Sequence, residues 1–267
     1  MPFEIAENFK ENWGEKPSFD ELMALDGDMY RQVARRKTFK FTLNNKDYFA
    51  KIHQGVGWGE IVKNLSQGRL PILGAVNEYE AINALTKLGV KTMTLAAFGQ
   101  RGLNVAELES FVITESLEPA ISLEDLSMDW AKSKPDLKLK RALIKHVATI
   151  TRQLHESGIN HRDLYICHFL VKESDLNSIQ AVNELPLYLI DLHRVQMRKS
   201  VPERWLIKDL AALYFSSMHI GFTRRDFYRF IQVYSGKSLS TEFKLHARRW
   251  ASVCAKGERL NSKPIKD

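Results

Sequence analysis

Two acidic segments carry the strongest chemical signal in this sequence. The first is the run from His161-Arg162-Asp163 to Leu170, and the second is Ile190-Asp191-Leu192-His193 further along the chain. A carboxylate on a loop can orient a substrate hydroxyl and accept its proton, which is the role predicted for Asp163. A carboxylate at the end of an apolar strand can hold Mg²⁺ against nucleotide phosphates, which is the role predicted for Asp191. Together, and behind a strand that carries a lysine, the two segments indicate a phosphoryl-transfer site.

A lysine and a glutamate nearer the start of the chain add to this prediction. Lys51 lies on a predicted strand and could contact the α- and β-phosphates of a nucleotide. Glu78 on the following predicted helix could hold that lysine in place, with Glu80 as a poorer candidate. Each residue taken alone is more often structural than functional. Their order along the chain is what favours a kinase-type site.

The predicted elements that position these residues fall into two parts. The first part is mostly strand, with strands over 38–43, 46–53, 90–98 and 110–115 and a helix over 75–88. The second part is mostly helix, with helices over 139–155, 206–218 and 240–256, short strands over 169–172 and 187–190, and a capping box at Thr223 and Asp226. The predicted domains are therefore 1–117 for nucleotide binding, with residues 1–30 peripheral, and 118–267 for the catalytic loop, metal site and acceptor.

Composition limits the cellular setting and the class of partner. The chain has 267 residues, two cysteines and a formal net charge of +7, which favours anionic partners. Two cysteines make no disulfide framework, and the polar, acidic start from Met1 to Lys16 is not a secretory signal, so we expect a cytoplasmic protein. Nucleic-acid binding is not expected, because the sequence has no basic helix and no interleaved basic and aromatic strand.

The order of these residues resembles the protein-kinase-like fold. More closely, the chain is similar to the lipopolysaccharide core heptose(I) kinase (RfaP/WaaP) family over roughly residues 20 to 235. The segments that carry the resemblance are Tyr48-Phe49-Ala50-Lys51-Ile52-His53, Leu70-Pro71-Ile72-Leu73-Gly74-Ala75, Ile113-Thr114-Glu115, His161 to Leu170, Ile190 to Arg194, Lys208-Asp209-Leu210 and Tyr214-Phe215-Ser216-Ser217. The resemblance implies an α+β, bilobal fold with a β-rich N-terminal lobe, one key helix in it, and a mostly helical C-terminal lobe.

The resemblance also assigns roles to individual residues. It places Asp163 at the catalytic position and Asp191 at the metal-binding position. The residues assigned to nucleotide binding are Lys51, Glu78 and Glu115. Asp209 matches the position that supports the catalytic loop from behind, so its predicted role is structural.

Three features of the sequence depart from the protein-kinase pattern. His168 stands where protein kinases have a metal-binding asparagine, so it either contacts phosphate or metal directly or only orders the loop. The glycines that could cover phosphates, Gly55, Gly57 and Gly59, follow Lys51 instead of preceding it. The stretch after Asp191 has no activation segment, which favours a small-molecule acceptor over a protein.

The resemblance implies ATP-dependent phosphorylation of a heptose hydroxyl of the lipopolysaccharide inner core, with Mg²⁺. It further implies an anionic, lipid-anchored acceptor, peripheral contact with the cytoplasmic face of the inner membrane, and a possible acyl carrier protein partner. Basic residues after Asp191 are expected to steer the acceptor, namely Arg194, Arg198, Lys199, Arg204, Arg224 and Arg225. The alternatives are a kinase of another small hydroxyl substrate or of protein tyrosine, and a catalytically silent kinase-like binding module.

Overall fold

The computed structural model describes residues 3–33, 35–66, 74–178 and 185–262. The chain forms two compact units, and the first consists of Met1–Ala84, Met93–Leu117 and Leu192–Arg194. The second consists of Leu85–Thr92, Glu118–Asp191 and Val195–Asp267. The Leu70 to Leu73 part of one segment quoted above lies outside the described residues. The predicted division of functions at 117/118 stays a prediction. The two units consist of six pieces of chain that alternate between them.

The first unit is built on an antiparallel sheet with the strand order β1-β5-β6-β4-β3-β2. Its strands are β1 (Phe3–Ile5), β2 (Asp28–Val33), β3 (Arg36–Leu43), β4 (Lys46–Gln54), β5 (Leu95–Arg101) and β6 (Glu109–Glu115). Its helices are α1 (Glu7–Trp13), α2 (Phe19–Met23), α3 (Gly57–Ser66) and most of α4 (Val76–Lys87).

The hairpin of β3 and β4 forms as its sequence predicts. Asn44 and Asn45 have φ values of 46° and 61°, so both central turn residues adopt the left-handed conformation that suits a tight hairpin. Side chains alternate along β4, and Tyr48, Ala50 and Ile52 are all buried in the core. Lys51 therefore points to the opposite face of the sheet.

The segment predicted to be peripheral, residues 1–30, contributes to the core of the first unit. Phe9 of α1 and Leu22 of α2 are fully buried, in the same cluster as Phe39, Tyr48 and Phe111. The rings of Phe9 and Tyr48 meet edge to face with centroids 5.0 Å apart. The segment is thus a structural part of this unit.

The strand predicted over 90–98 is wrong in its first half, because β5 begins at Leu95. The backbone oxygen of Lys91 accepts a hydrogen bond from the amide of Leu189, at 2.9 Å. The Thr92 hydroxyl donates to the Leu189 carbonyl at 2.6 Å. Lys91 and Thr92 therefore bond to a distant part of the chain, and residues 85–92 belong to the second unit.

The second unit is mostly helical. Its helices are α5 (Leu123–Ser127), α6 (Leu137–Glu156), α7 (Glu173–Ser178), α8 (Glu203–Ser217), α9 (Arg224–Ser235) and α10 (Leu239–Asn261). Its strands are β7 (Ala120–Ser122), β8 (Ile159–Asn160), β9 (Phe169–Lys172), β10 (Tyr188–Leu189) and β11 (Gln196–Met197). They form two small antiparallel sheets, β10-β9-β7 and β11-β8.

Local signals set the ends of these helices. The Asp136 carboxylate accepts from the Leu139 amide at 2.8 Å and caps the start of α6. Gly158, with φ 78°, follows its end, and a Cβ there would overlap the backbone oxygen of Arg198. The predicted capping box of Thr223 and Asp226 begins α9. The last helix is longer than predicted, with a kink at His246.

The second unit also has an open, mostly apolar pocket of about 500 Å³. Side chains from α6, α8, α9 and α10 line it, including Leu143, Val147, Leu213, Ile231 and Trp250. Within the described residues, no helix has both the length and the apolar character needed to cross a membrane.

Candidate functional site

Lys51 and Glu78 form an ion pair in the first unit. Lys51 Nζ lies 2.6 Å from Glu78 Oε1, and the Glu78 side chain is only 3% exposed. Glu78 occupies the first turn of α4, where a negative charge also suits the helix dipole. A buried carboxylate is costly without a partner, so this contact fixes the position of the lysine ammonium group.

His53 shares the face of β4 that carries Lys51. Burial lowers the pKa of His53 to about 4, and the nearby positive charges of Arg36 and Lys51 and the His193 ring lower it further in the same direction. The imidazole is therefore neutral at pH 7. It adds no positive charge beside the lysine, so the charge of this face of β4 comes from other residues.

Glu115, the third residue assigned to nucleotide binding, makes a separate set of contacts. Its carboxylate accepts hydrogen bonds from the side chains of Lys46 and Asn8. It ends β6 opposite Tyr48, whereas Lys51 is paired with Val112. The Glu115 side chain is therefore not part of the Lys51–Glu78 pair, and its role with a nucleotide stays a prediction.

The loop that carries Asp163 is held by a buried carboxylate in the second unit. Asp209 on α8 is fully buried, and its Oδ2 accepts from the His161 amide at 2.6 Å. Its Oδ1 accepts from the Arg162 amide at 2.8 Å. Arg162 has a φ of 75°, which is unfavourable for a residue with a side chain. The two hydrogen bonds that these amides donate to Asp209 hold the backbone just before Asp163.

Two further buried side chains support Asp209. His155 at the end of α6 has its Nε2 3.5 Å from Asp209 Oδ2. The other ring nitrogen, Nδ1, lies 2.9 Å from the hydroxyl oxygen of Tyr234. Burial raises the pKa of Tyr234, so this hydroxyl stays neutral. The row Tyr234–His155–Asp209 thus links α9 to the loop.

The two acidic segments are joined through Ile190. The His161 ring places Nε2 3.0 Å from the Ile190 carbonyl oxygen, and the Ile190 amide donates to the His168 carbonyl at 3.0 Å. Burial lowers the pKa of His161, so the ring is neutral and Nε2–H is the donor. Asp191 follows directly, with φ 62°. Its position is therefore set relative to the loop that carries Asp163.

His168 touches both segments. Its Nδ1 lies 2.8 Å from the backbone oxygen of Asp163, which can only accept, so Nδ1 carries a proton. Its Nε2 lies 3.5 Å from Asp191 Oδ2. Nε2 can therefore meet the carboxylate only as an N–H donor or with a cation between them. The contact with Asp163 orders the loop, and a role of the second nitrogen in holding a metal beside Asp191 stays a prediction.

The structure groups the predicted residues into two sets. Lys51 contacts Glu78 in the first unit. The loop of Asp163, together with His168, Asp191 and Asp209, forms the second set.

Sequence reasoning missed the support from His155, His161 and Tyr234. A signal for His155 exists, because it lies on a buried stripe of α6 with Ile144, Ala148 and Thr151. A histidine on such a stripe needs a polar partner.

Comparisons with known proteins show which family this chain is similar to. Residues 20–234 match the lipopolysaccharide kinase (Kdo/WaaP) family. The lipopolysaccharide core heptose(I) kinase WaaP of Escherichia coli K12 is 45% identical over 97% of this chain and 97% of that protein. The same kinase of Pseudomonas aeruginosa PAO1 is 44% identical over 97% of this chain and 96% of its own length.

A solved structure of WaaP in complex with acyl carrier protein is also similar. It has a TM-score of 0.83 and 39% identity, covering 97% of this chain and 99% of that one. The predicted α+β, protein-kinase-like fold is confirmed by this likeness together with the family match. The chain therefore belongs to the lipopolysaccharide kinase (Kdo/WaaP) family.

Proposed function

We propose that this chain transfers a phosphoryl group from ATP to a heptose hydroxyl of the lipopolysaccharide inner core. Its curated relatives are named as that kinase, and the similarity covers nearly their whole length. The observation that carries the proposal is the loop of Asp163, which Asp209 holds in place and Ile190 ties to the segment of Asp191.

Asp163 is proposed to act on the acceptor. Its carboxylate orients the heptose hydroxyl and accepts its proton as the oxygen attacks the γ-phosphorus of ATP. A preset position of this group lowers the barrier, because little rearrangement is needed when the acceptor binds. The left-handed backbone at Arg162 and its hydrogen bond to Asp209 support this role.

Lys51 and Asp191 are proposed to act on the nucleotide. Lys51, kept in place by Glu78, contacts the phosphates and balances their negative charge. Asp191 Oδ2 and His168 Nε2 are the donors that would hold Mg²⁺, which when bound neutralises charge on the β- and γ-phosphates. Glu115 is proposed to lie near the nucleotide, as the resemblance implies.

The proposed setting is the cytoplasmic face of the inner membrane, where the lipid-anchored acceptor is reached by peripheral contact. The formal charge of +7 suits both an anionic glycolipid and an anionic protein. An acyl carrier protein is the proposed protein partner, because the similar solved WaaP structure was determined in complex with one.

The test is release of ADP with ATP, Mg²⁺ and a heptose-terminated core lipopolysaccharide whose heptose carries no phosphate. We expect Asp163→Asn to lower the acceptor-dependent rate by about 10²- to 10⁴-fold, because the base is lost while the size of the side chain is kept. Asp129→Asn, at an exposed aspartate of the same unit, should leave the rate unchanged. Circular dichroism would verify that both variants fold.

Three results would contradict the proposal. Near-full turnover by folded Asp163→Asn would exclude Asp163 as the base. Binding of ATP without ADP release that depends on this acceptor would favour the silent-module alternative. Release of ADP with another small hydroxyl compound or a tyrosine peptide, but not with core lipopolysaccharide, would point to a different acceptor.

A further inference from the structure

Trp205, in the first turn of α8, is surrounded by positive charge. Four cationic groups lie close to its ring, here called the Trp205 cluster: Arg162 Cζ at 5.3 Å from the ring centroid, Arg198 Cζ at 5.9 Å, Arg204 Cζ at 5.3 Å and Lys208 Nζ at 5.4 Å. All belong to the second unit. They come from three separate stretches of chain, so the fold itself brings them together.

Specific contacts hold the most distant member of this cluster in place. Arg198 donates from Nη1 to Asn160 Oδ1 and from Nη2 to Gln196 Oε1, each at 2.6 Å. Asn160 and Gln196 are direct partners in the pairing of β8 with β11. The Arg198 backbone is also tied to the end of α6, since its amide donates to the Gly158 carbonyl at 2.9 Å. The guanidinium is therefore fixed by neutral groups, which leave its charge in place.

The ring cannot compensate four cations. An aromatic ring attracts cations at its two faces, each contact contributing about 0.5 to 2 kcal/mol. Any two of the four groups are at most about 11 Å apart. Like charges about 10 Å apart repel by roughly 1 to 2 kcal/mol at an effective dielectric constant of about 20. An anion that binds among these groups would therefore relieve their mutual repulsion.

Two members of the cluster, Arg198 and Arg204, have no carboxylate among the described residues that balances their charge. In the described part of the chain, neither Arg198 nor Arg204 has a carboxylate within ion-pair distance, and both side chains are exposed. Glu203, next to Arg204, forms an ion pair with Arg249, whose Nε lies 2.6 Å from Glu203 Oε1. Asp209 directs both oxygens to the backbone amides of the catalytic loop. The exposed side of the cluster is thus positive.

The cluster starts one residue from the proposed catalytic carboxylate. Arg162 directly precedes Asp163, and consecutive Cα atoms are about 3.8 Å apart. Arg162 therefore joins the cluster to the loop of Asp163, where the proposed acceptor hydroxyl binds. Arginine suits planar oxyanions, because its guanidinium can donate two parallel hydrogen bonds.

We propose that the Trp205 cluster binds an oxyanion of the acceptor glycan, a sugar-acid carboxylate or a phosphate ester, and so orients the hydroxyl for transfer. The inference rests on the proposed function, because it takes Asp163 to mark the acceptor site. Arg198 and Arg204 supply the exposed charges, and Arg162 links them to the catalytic loop. Lys208 adds positive charge from the next turn of α8.

The test compares two double charge reversals that change the net charge equally. Arg198→Glu with Arg204→Glu alters the cluster, and Arg141→Glu with Lys145→Glu alters two exposed positions on α6. We expect the cluster variant to bind the isolated core oligosaccharide at least about tenfold more weakly by calorimetry, since charge-assisted hydrogen bonds are lost. In turnover its KM for the acceptor should rise while its KM for ATP stays the same. The α6 variant should match the wild type in its affinity for the oligosaccharide, its KM for the acceptor and its KM for ATP.

Modified acceptors separate the two sources of the oxyanion. One sample of the oligosaccharide has its sugar-acid carboxyls reduced to alcohols, and another has its phosphates removed enzymatically. Only the treatment that removes the bound oxyanion should weaken binding to the wild type. The cluster variant should lose nothing further with that same modified oligosaccharide. An equal loss of oligosaccharide affinity in the cluster and α6 variants would show general charge attraction and overturn the proposal. Unchanged affinity in the cluster variant would overturn it too. Because binding is measured without turnover, this result stands apart from the ADP assay that tests the proposed function.

Discussion

Lys51 and Asp163 reach their positions by different structural means. Lys51 sits in the middle of a regular strand, with hydrogen-bonded neighbours on both sides, and one ion pair with Glu78 fixes its end. Asp163 sits on irregular backbone, next to a residue with φ 75°. Its place depends on a carboxylate 46 positions later in the chain, Asp209, and on the rings packed behind it.

The difference shows where each site is vulnerable. A strand keeps its backbone when a side-chain partner is removed, so loss of Glu78 should free the lysine and leave the sheet intact. A loop in a strained conformation persists only while its surroundings impose it. Loss of Asp209 should therefore change the loop backbone itself.

The largest effect is expected for Asp209→Ala. This change leaves two buried amides without their acceptor, so we expect the free energy of unfolding to fall by about 3 to 5 kcal/mol. Acceptor-dependent turnover should fall together with it. Urea unfolding at pH 7.5 measures the first effect, with Asp47→Ala on the β3–β4 hairpin as a control. Unchanged stability would mean that the loop holds its conformation without Asp209.

The next largest effect is expected on the acid stability of the first unit, through His53. The pKa of His53 is about 4 in the folded protein, against about 6.5 in an unfolded chain. Above pH 6.5 the ring is neutral in both states, and as the pH falls toward 4 only the unfolded chain gains the proton. Stability should thus be lost on acidification, by about 2 to 3 kcal/mol between pH 7.5 and 4.5.

The variant His53→Gln should show a smaller decrease than the wild type between these two pH values in urea unfolding. His219→Gln, at an exposed histidine, should behave as the wild type does. An equal decrease in wild type and His53→Gln would show that the acid sensitivity has another source. The experiment sharpens the comparison, because it probes the strand of Lys51 without altering the lysine.

The smallest effect is expected for Glu78→Gln. The charge of the partner is lost while a hydrogen-bond acceptor remains, so we expect KM for ATP to rise by about three- to tenfold. The free energy of unfolding should change by no more than about 1 to 2 kcal/mol. Glu80→Gln, two residues on and exposed, is the matched control. A larger effect of the Glu80 variant would assign the lysine partner to Glu80 instead.

The sequence predicts well what short-range patterns determine. The alternation of Tyr48, Ala50 and Ile52 and the turn at Asn44-Asn45 fix the hairpin and the side of Lys51. The contact of Lys51 with Glu78 follows from one strand and one helix. Both elements carry their own periodic signal, so this half of the candidate site could be placed in advance.

What the sequence did not predict depends on contacts between distant residues. Residues 90–92 resemble a strand, but Lys91 and Thr92 bond to Leu189, about a hundred positions later. The partners of His155 are Asp209 and Tyr234, 54 and 79 positions away. Helix α3 was missed because Gly57 and Gly59 oppose helix formation locally. Packing overrides the local preference in each of these cases.

Gly158 has a consequence for how mutational data on this protein should be interpreted. Its lack of a side chain allows the segment of Arg198 to cross the end of α6 at backbone contact distance. A complete substitution library should thus find position 158 as intolerant as that of a reactive residue, although glycine has no reactive group. Positions where two backbone segments cross in close contact should therefore be as sensitive to mutation as the residues that take part in the reaction.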